Sequence, residues 1–275
     1  MEIKVGLILL ITGLVSFSSQ AIIIRHDVAP NRYTVRPSDF PSVFFLEQRG
    51  NRKVCVATVI HRQWAITAAH CTEETPLAET IGNGQRFSVQ VGGRDREIDG
   101  LIIHPDYKQS PGIEVDLALV RFQNPANVPR PIPLQMDEDE LGAEISLVGW
   151  GFFGLGTTGR QYDDGSLRRA RNRITSANRR LRIVFDDPRE LSGQAVDLEG
   201  LPGLGDSGGP ALLETETGYR LAGIAIGEIE GSDFSEETQG KYGSVAIYER
   251  VTQHLDWIET VIGGKLSFDR SRLAL

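Results

Sequence analysis

The chain has 275 residues, 40% of them hydrophobic and 24% charged, the balance of a globular protein of one large or two small domains. Its net charge is −8, so the surface as a whole is a poor match for nucleic acid or for an anionic membrane. Two cysteines and five histidines form no cluster with zinc spacing, and neither a metal nor another cofactor is expected.

Residues 1–21 read as a signal peptide. Lys4 gives a positive start, Val5 to Val15 is a short apolar core, and Ser19 and Ala21 stand where a signal peptidase reads small residues. The apolar run is too short for an ordinary membrane span. The expected location is therefore secreted or periplasmic, with no membrane attachment after cleavage. An exported chain whose only cysteines are Cys55 and Cys71 most simply carries one disulfide.

After a mature N-terminal segment, 22–37, the pattern is one of short β-type runs. "PSVFFLE", "KVCVATVI", "RFSVQVGG", "REIDGLII" and "DLALVRF" fall in a first unit, 38–123. "EISLVGWG", "RLRIVF", "PALLET" and "YRLAGIAIG" fall in a second, 136–250. Runs of this length, parted by Gly, Pro, Asn and Asp, predict an all-β barrel or sandwich. "NPANVPRPIPLQ", residues 124–135, holds four prolines and reads as an extended linker. Val251, Leu255, Ile258 and Ile262 share one face of a helix predicted over 251–262, which Gly263 ends. The tail, 263–275, is expected to be mobile. Seven arginines lie between 168 and 182; without interleaved aromatics they fit a solvated strand pair better than a polyanion groove.

Three short segments carry chemistry. "GLGDSGGPALL" places Ser207 among glycines between apolar runs. A serine hydroxyl is a weak nucleophile at neutral pH and needs an adjacent base. His70, in "WAITAAHC", is a candidate base beside a cysteine whose bridge to Cys55 would fix its backbone. Asp116 opens "DLALVRF", where a buried carboxylate needs a partner, and a charged imidazole would serve.

"TAAHC", "DLALV" and "GDSGGP", in that order, resemble the active-site segments of the chymotrypsin/trypsin family of serine endopeptidases. The order His, Asp, Ser is that family's and differs from those of subtilisins and α/β-hydrolases. "FPSVFFLE", "HPDY", "VGWG" and "YERVTQHLDWI" extend the likeness over roughly residues 38 to 262. The resemblance implies an all-β fold of two antiparallel six-stranded barrels with a C-terminal helix and a cleft between the barrels. It implies that Ser207 attacks the scissile carbonyl, that His70 moves the proton, and that Asp116 orients His70. Gly205 and Ser207 would supply the oxyanion-hole N–H groups, and Asp206 would pair with the free amine of the mature chain. No basic residue in the N-terminal segment precedes an Ile-Val or Ile-Ile start. Cleavage after Ala21, however, exposes Ile22, so export itself is the expected activation step. The 19 positions from Ile22 to Pro41 exceed the family's usual spacing, so the extra residues must loop out.

Counting back from Ser207 places the floor of the specificity pocket at Leu201, with walls near Ile226, Glu228 and Ala246. A leucine floor favours an apolar or small residue before the cleaved bond; a shift of this loop would bring in Asp197 or Glu199 and favour a basic one. Ile226 also stands where the family has a serine that supports the triad aspartate. The expected partners are protein or peptide substrates and proteinaceous inhibitors, with the chain a monomer. Two rival readings are a catalytically dead binding protein on a protease scaffold and a polyanion binder using the arginine-rich stretch.

Overall fold

Runs of β-branched and aromatic residues too short for helices form sixteen strands among the residues that the computed structural model describes: 22–110, 112–190, 194–229 and 239–263. The expected signal peptide and nearly all of the expected tail lie outside them. After β1 (Ile23–Ile24), the first barrel contains β2 (Val43–Arg49), β3 (Arg52–His61), β4 (Trp64–Thr67), β5 (Phe87–Val91), β6 (Arg94–Ile103) and β7 (Ala118–Phe122). Next come β8 (Glu144–Gly149), β9 (Phe153–Leu155), β10 (Gly159–Tyr162), β11 (Arg168–Ala177) and β12 (Arg180–Val184). The last are β13 (Gly200–Leu201), β14 (Pro210–Thr215), β15 (Gly218–Glu228) and β16 (Val245–Arg250).

The fold is two six-stranded antiparallel barrels. The first is a sheet in the order β2-β3-β4-β7-β6-β5, curled so that β2 lies beside β5. The second closes fully, in the order β11-β12-β16-β15-β14-β8. Alternation sets which face each strand buries: in β5, Val89 and Val91 point into the core and Ser88 and Gln90 point out. Phe44 and Phe122 meet inside the first barrel at 5.9 Å between ring centres. Ile145, Leu181, Ile183 and Tyr248 fill the second.

A third, smaller sheet, β10-β9-β1-β13, has no counterpart in the sequence reading. It threads Ile23 and Ile24 between Leu201 and Gly200 on one side and Gly154 and Leu155 on the other. Beyond it the chain turns twice before β2. Turns at Pro30–Arg32 and Pro37–Asp39 take up the extra length, and Tyr33 is buried with its hydroxyl donating to the Glu199 carbonyl. Segment 124–135 forms no strand or helix of its own. It is stitched to both barrels, by Ile132 N–H to the Val59 carbonyl and by Gln135 N–H to the Leu221 carbonyl.

The C-terminal helix differs from the expectation in its first turn. Val251–His254 is a 3₁₀ turn, and α-helix follows over Leu255–Ile262. Val251 and Ile258 are fully buried on the expected face. Two further short helices, His70–Glu74 and Leu77–Gly82, follow β4.

Candidate active site

β4 ends at Thr67, and two buried alanines lead into the helix that begins with His70. Cys71 is bridged to Cys55 on β3, with 5.7 Å between their Cα atoms, so the strand-to-helix corner carrying His70 is pinned covalently. The pairing is the one expected. His70, Cys55 and Cys71 converge, but both sulfurs belong to the bridge and offer no thiolate to a metal.

Asp116 stands just before β7. Its carboxylate takes two hydrogen bonds from one residue: the His70 backbone N–H reaches Oδ1 at 2.9 Å, and His70 Nδ1 lies 2.6 Å from Oδ2. Both side chains are largely buried, 22% and 13% exposed, so the contact is poorly screened. Burial alone would lower the pKa of His70. The hydrogen bond and charge of Asp116, with the charges of Glu74 and Glu73, outweigh it and hold the imidazole above its ordinary value.

Ser207 sits in the turn between β13 and β14, on the second barrel, and this turn leans on the first. The Ser207 carbonyl accepts the Val56 N–H at 2.7 Å. Gly208, at φ +78°, is wedged so closely that a Cβ there would collide with the Val56 carbonyl and Thr67 Oγ1. The serine is thus tied to β3 one residue from Cys55, while the histidine follows β4 beside Cys71. Among the described residues the Ser207 hydroxyl makes no hydrogen bond to His70; His70 Nε2 lies 3.8 Å from Cys71 Sγ. Gly205 is at φ +100°, a conformation that favours glycine, and neither its N–H nor that of Ser207 has an acceptor among the described residues.

Asp206, between them, points away into the second barrel. It is 3% exposed and accepts the N–H groups of Gly151, at 2.6 Å, and Gly203, at 2.8 Å. Burial is the larger effect and pushes its carboxyl up to about 6, against the pull of those two donors and of Arg168. Ile22, buried at 1%, lines the same cavity of about 10 Å³, with Val148, Pro202 and Tyr248. Arg25 is engaged with Asp27 and the Val196 carbonyl, and His26 with the Tyr242 hydroxyl.

Of the residues expected around the specificity pocket, Leu201 is fully buried on β13 against Ile23, and Ala246 faces Glu228 across β15 and β16. Glu228 Oε1 accepts the Gly240 N–H at 3.3 Å, and burial pushes its carboxyl up. Ile226, where β15 slips register against β16, packs against the core that includes Val56 and Ile224. Asp197 pairs loosely with Arg32 at the surface, and Glu199 is buried, accepting the N–H groups of Asp186 and Val196.

Comparison with known proteins agrees with this architecture. The Trypsin family profile matches residues 30–258. The chain belongs to the trypsin family. Phenoloxidase-activating factor 3 of Holotrichia diomphalia is 27% identical over 74% of the chain and 63% of its own length. Vitamin K-dependent protein C of Oryctolagus cuniculus is 26% identical over 84% of the chain and 51% of its own length. The chain therefore spans about half to two thirds of these curated relatives. In fold it is similar to neuropsin, a serine protease expressed in the limbic system of mouse brain, with a TM-score of 0.58 and 23% identity over 84% of this chain and 98% of that one. Within this trypsin-family scaffold, sequence reasoning missed Glu249 and Arg180, whose carboxylate and guanidinium lie behind Asp116. The arginine-rich stretch signalled the second of them but not its contact.

Proposed function

We propose that this trypsin-family chain is an exported serine endopeptidase that hydrolyses peptide bonds through an acyl-enzyme. The observation that carries the reading is the two-point grip of Asp116 on His70, with Ser207 anchored to the strand that is disulfide-bonded to the histidine corner. Asp116 holds Nδ1 as the protonated nitrogen, which leaves Nε2 free to take the Ser207 proton. The Ser207–His70 hydrogen bond then forms in the substrate complex, as catalytic hydrogen bonds often tighten only there. Ser207 Oγ bonds to the scissile carbonyl carbon, and the N–H groups of Gly205 and Ser207 hold the oxyanion. His70 returns the proton to the leaving amine, and water, deprotonated by His70, then releases the acyl group and restores Ser207.

The preferred residue before the cleaved bond is apolar or small. Leu201, the expected floor, and Ala246, an expected wall, are apolar, while Asp197 lies at the surface with Arg32 and the carboxylates of Glu199 and Glu228 accept backbone donors. Substrates are proteins or peptides, and the chain acts as a secreted or periplasmic monomer. Labelling by a fluorophosphonate that goes to Ser207, together with cleavage of a peptide library read by mass spectrometry, tests this reading. A folded protein that neither reacts nor cleaves is the dead scaffold instead.

A further inference from the structure

Asp116 must be held as firmly as it holds His70. Its carboxylate oxygens are both committed to the histidine, and Ile226, apolar, stands where the family has a supporting serine. What grips Asp116 lies on the other barrel. The Asp116 N–H donates to Glu249 Oε1 at 3.1 Å, from the approach to β7 to the end of β16. Glu249 is fully buried, and a lone carboxylate there would be costly. Arg180, on β12, offsets the charge: its guanidinium reaches the same oxygen at 2.6 and 2.8 Å. The same two-arginine corner holds the chain just upstream, where Arg179 and Arg180 donate to the Glu114 carbonyl at 2.6 and 3.0 Å.

The remaining neighbours close the site. Glu249 Oε2 faces His254 Nε2 at 3.6 Å, and the His254 ring meets His104 edge-on at 5.3 Å. The backbone N–H of His104 in turn donates to the Leu117 carbonyl, next to Asp116. Segment 114–117 is therefore clamped from three directions, and two of them come from the second barrel.

We propose that Glu249, charge-balanced by Arg180, is a positioning residue that holds Asp116 across the barrel interface, and that this is the role of the end of the arginine-rich stretch. The inference rests on the peptidase reading of the site. Because the Asp116 carboxylate pivots on its own backbone, loss of the Glu249 acceptor frees the residue to turn and loosens its hold on His70 Nδ1. A misplacement of about 1 Å in such a constellation costs on the order of 100-fold in rate.

The test compares Glu249→Ala, Glu249→Gln and Arg180→Gln with the wild type. Each is assayed for folding by thermal melting, for kcat and KM on a cleaved peptide, and for the pH profile of kcat/KM. The downfield proton resonance of His70 Nδ1 provides a readout that needs no turnover. Glu249→Ala and Arg180→Gln are expected to lose ~10- to 100-fold in kcat, with KM little changed. They are also expected to shift the acid limb of the profile downward and to weaken the Nδ1 resonance. Glu249→Gln, which keeps an acceptor for the Asp116 N–H, should recover most of the rate. Folded variants whose kcat, acid limb and resonance match the wild type would overturn the proposal even if they melt earlier, and Arg180→Gln carries the test if Glu249→Ala does not fold. Fluorophosphonate labelling of the wild type separates the two readings. An unlabelled wild type overturns the peptidase reading, while the Nδ1 resonance still decides whether Glu249 positions Asp116.

Discussion

Val56 donates its N–H to the carbonyl of Ser207 at 2.7 Å, and its neighbour Cys55 is bridged to Cys71, beside His70. The two groups that meet in the proposed mechanism, one on each barrel, are thus joined by one hydrogen bond and one disulfide. The bridge spans 16 positions, and a loop of that size is worth roughly 3 kcal/mol in the chain-entropy account. Reduction, or replacement of both cysteines by serine, should lower the melting temperature and reduce kcat more than it raises KM. Thiol titration of the native protein should find no reactive thiol before reduction. Two free thiols in a fully active sample would refute the bridge.

Ser207→Ala should abolish peptide hydrolysis, by on the order of 10⁶ in kcat, while the protein melts as the wild type does. His70→Ala should cost about as much, and the double variant little more, because the two groups act as a unit. Circular dichroism and a discontinuous peptide assay suffice. Near-full activity in Ser207→Ala would remove the central claim.

The pH dependence follows from the environment of His70. As a general base it must be neutral, and Asp116, Glu74 and Glu73 hold its pKa above the ordinary 6.5 despite burial. Activity should therefore rise with pH through an acid limb lying above that value. Asp116→Asn removes the charge and the charge-assisted hydrogen bond, and leaves only the smaller effects of Glu74 and Glu73 against burial. The acid limb should then move to lower pH than in the wild type, and kcat should fall about 10⁴-fold, the effect of this change in the family's template. The sign for stability is opposite. A raised histidine pKa adds stability that is present in full below 6.5 and is lost as pH rises through the raised value. The wild type's advantage in melting temperature over Asp116→Asn should therefore be larger at pH 5 than at pH 9.

What was legible in the sequence had local causes. His70, Asp116 and Ser207 each sit in a short stretch whose residue types state their chemistry. β5 and β7 announce themselves by alternation and by a run of buried residues. The sheet that receives Ile23 and Ile24 was not legible, because two-residue strands such as β1 and β13 have no period to detect. β16 was hidden because it runs into the 3₁₀ turn at Val251 with no turn residue between them. The arginine-rich stretch looked solvated by composition. Yet Arg168 is 1% exposed against Asp164, and Arg180 reaches a carboxylate 69 positions away. Contacts at that separation leave no mark on neighbouring residues.

The last prediction concerns Ile22 and Asp206. They line one cavity of about 10 Å³, room for a single water-sized group, and an ammonium is of that size. Arg25 and His26 are held by Asp27 and Tyr242, and Arg168, whose charge acts on Asp206, is paired with Asp164. Cleavage after Ala21 would place a charged amine beside a carboxylate that burial otherwise holds up at about 6. In the uncut chain Asp206 binds a proton more tightly folded than unfolded. Its charge therefore destabilises the fold progressively as pH rises from its ordinary 3.8 through about 6, by on the order of 3 kcal/mol in all. A mature chain beginning at Ile22 should lack most of that loss. It should be active near neutral pH and lose activity above the free amine's pKa of roughly 8 or somewhat higher. A chain carrying one or two residues before Ile22 should fold, melt lower at pH 7 than at pH 5, and be nearly inactive. Melting curves at the two pH values and a peptidase assay on both forms decide the matter. Equal activity in the extended chain would show that Asp206 does not depend on the Ile22 amine.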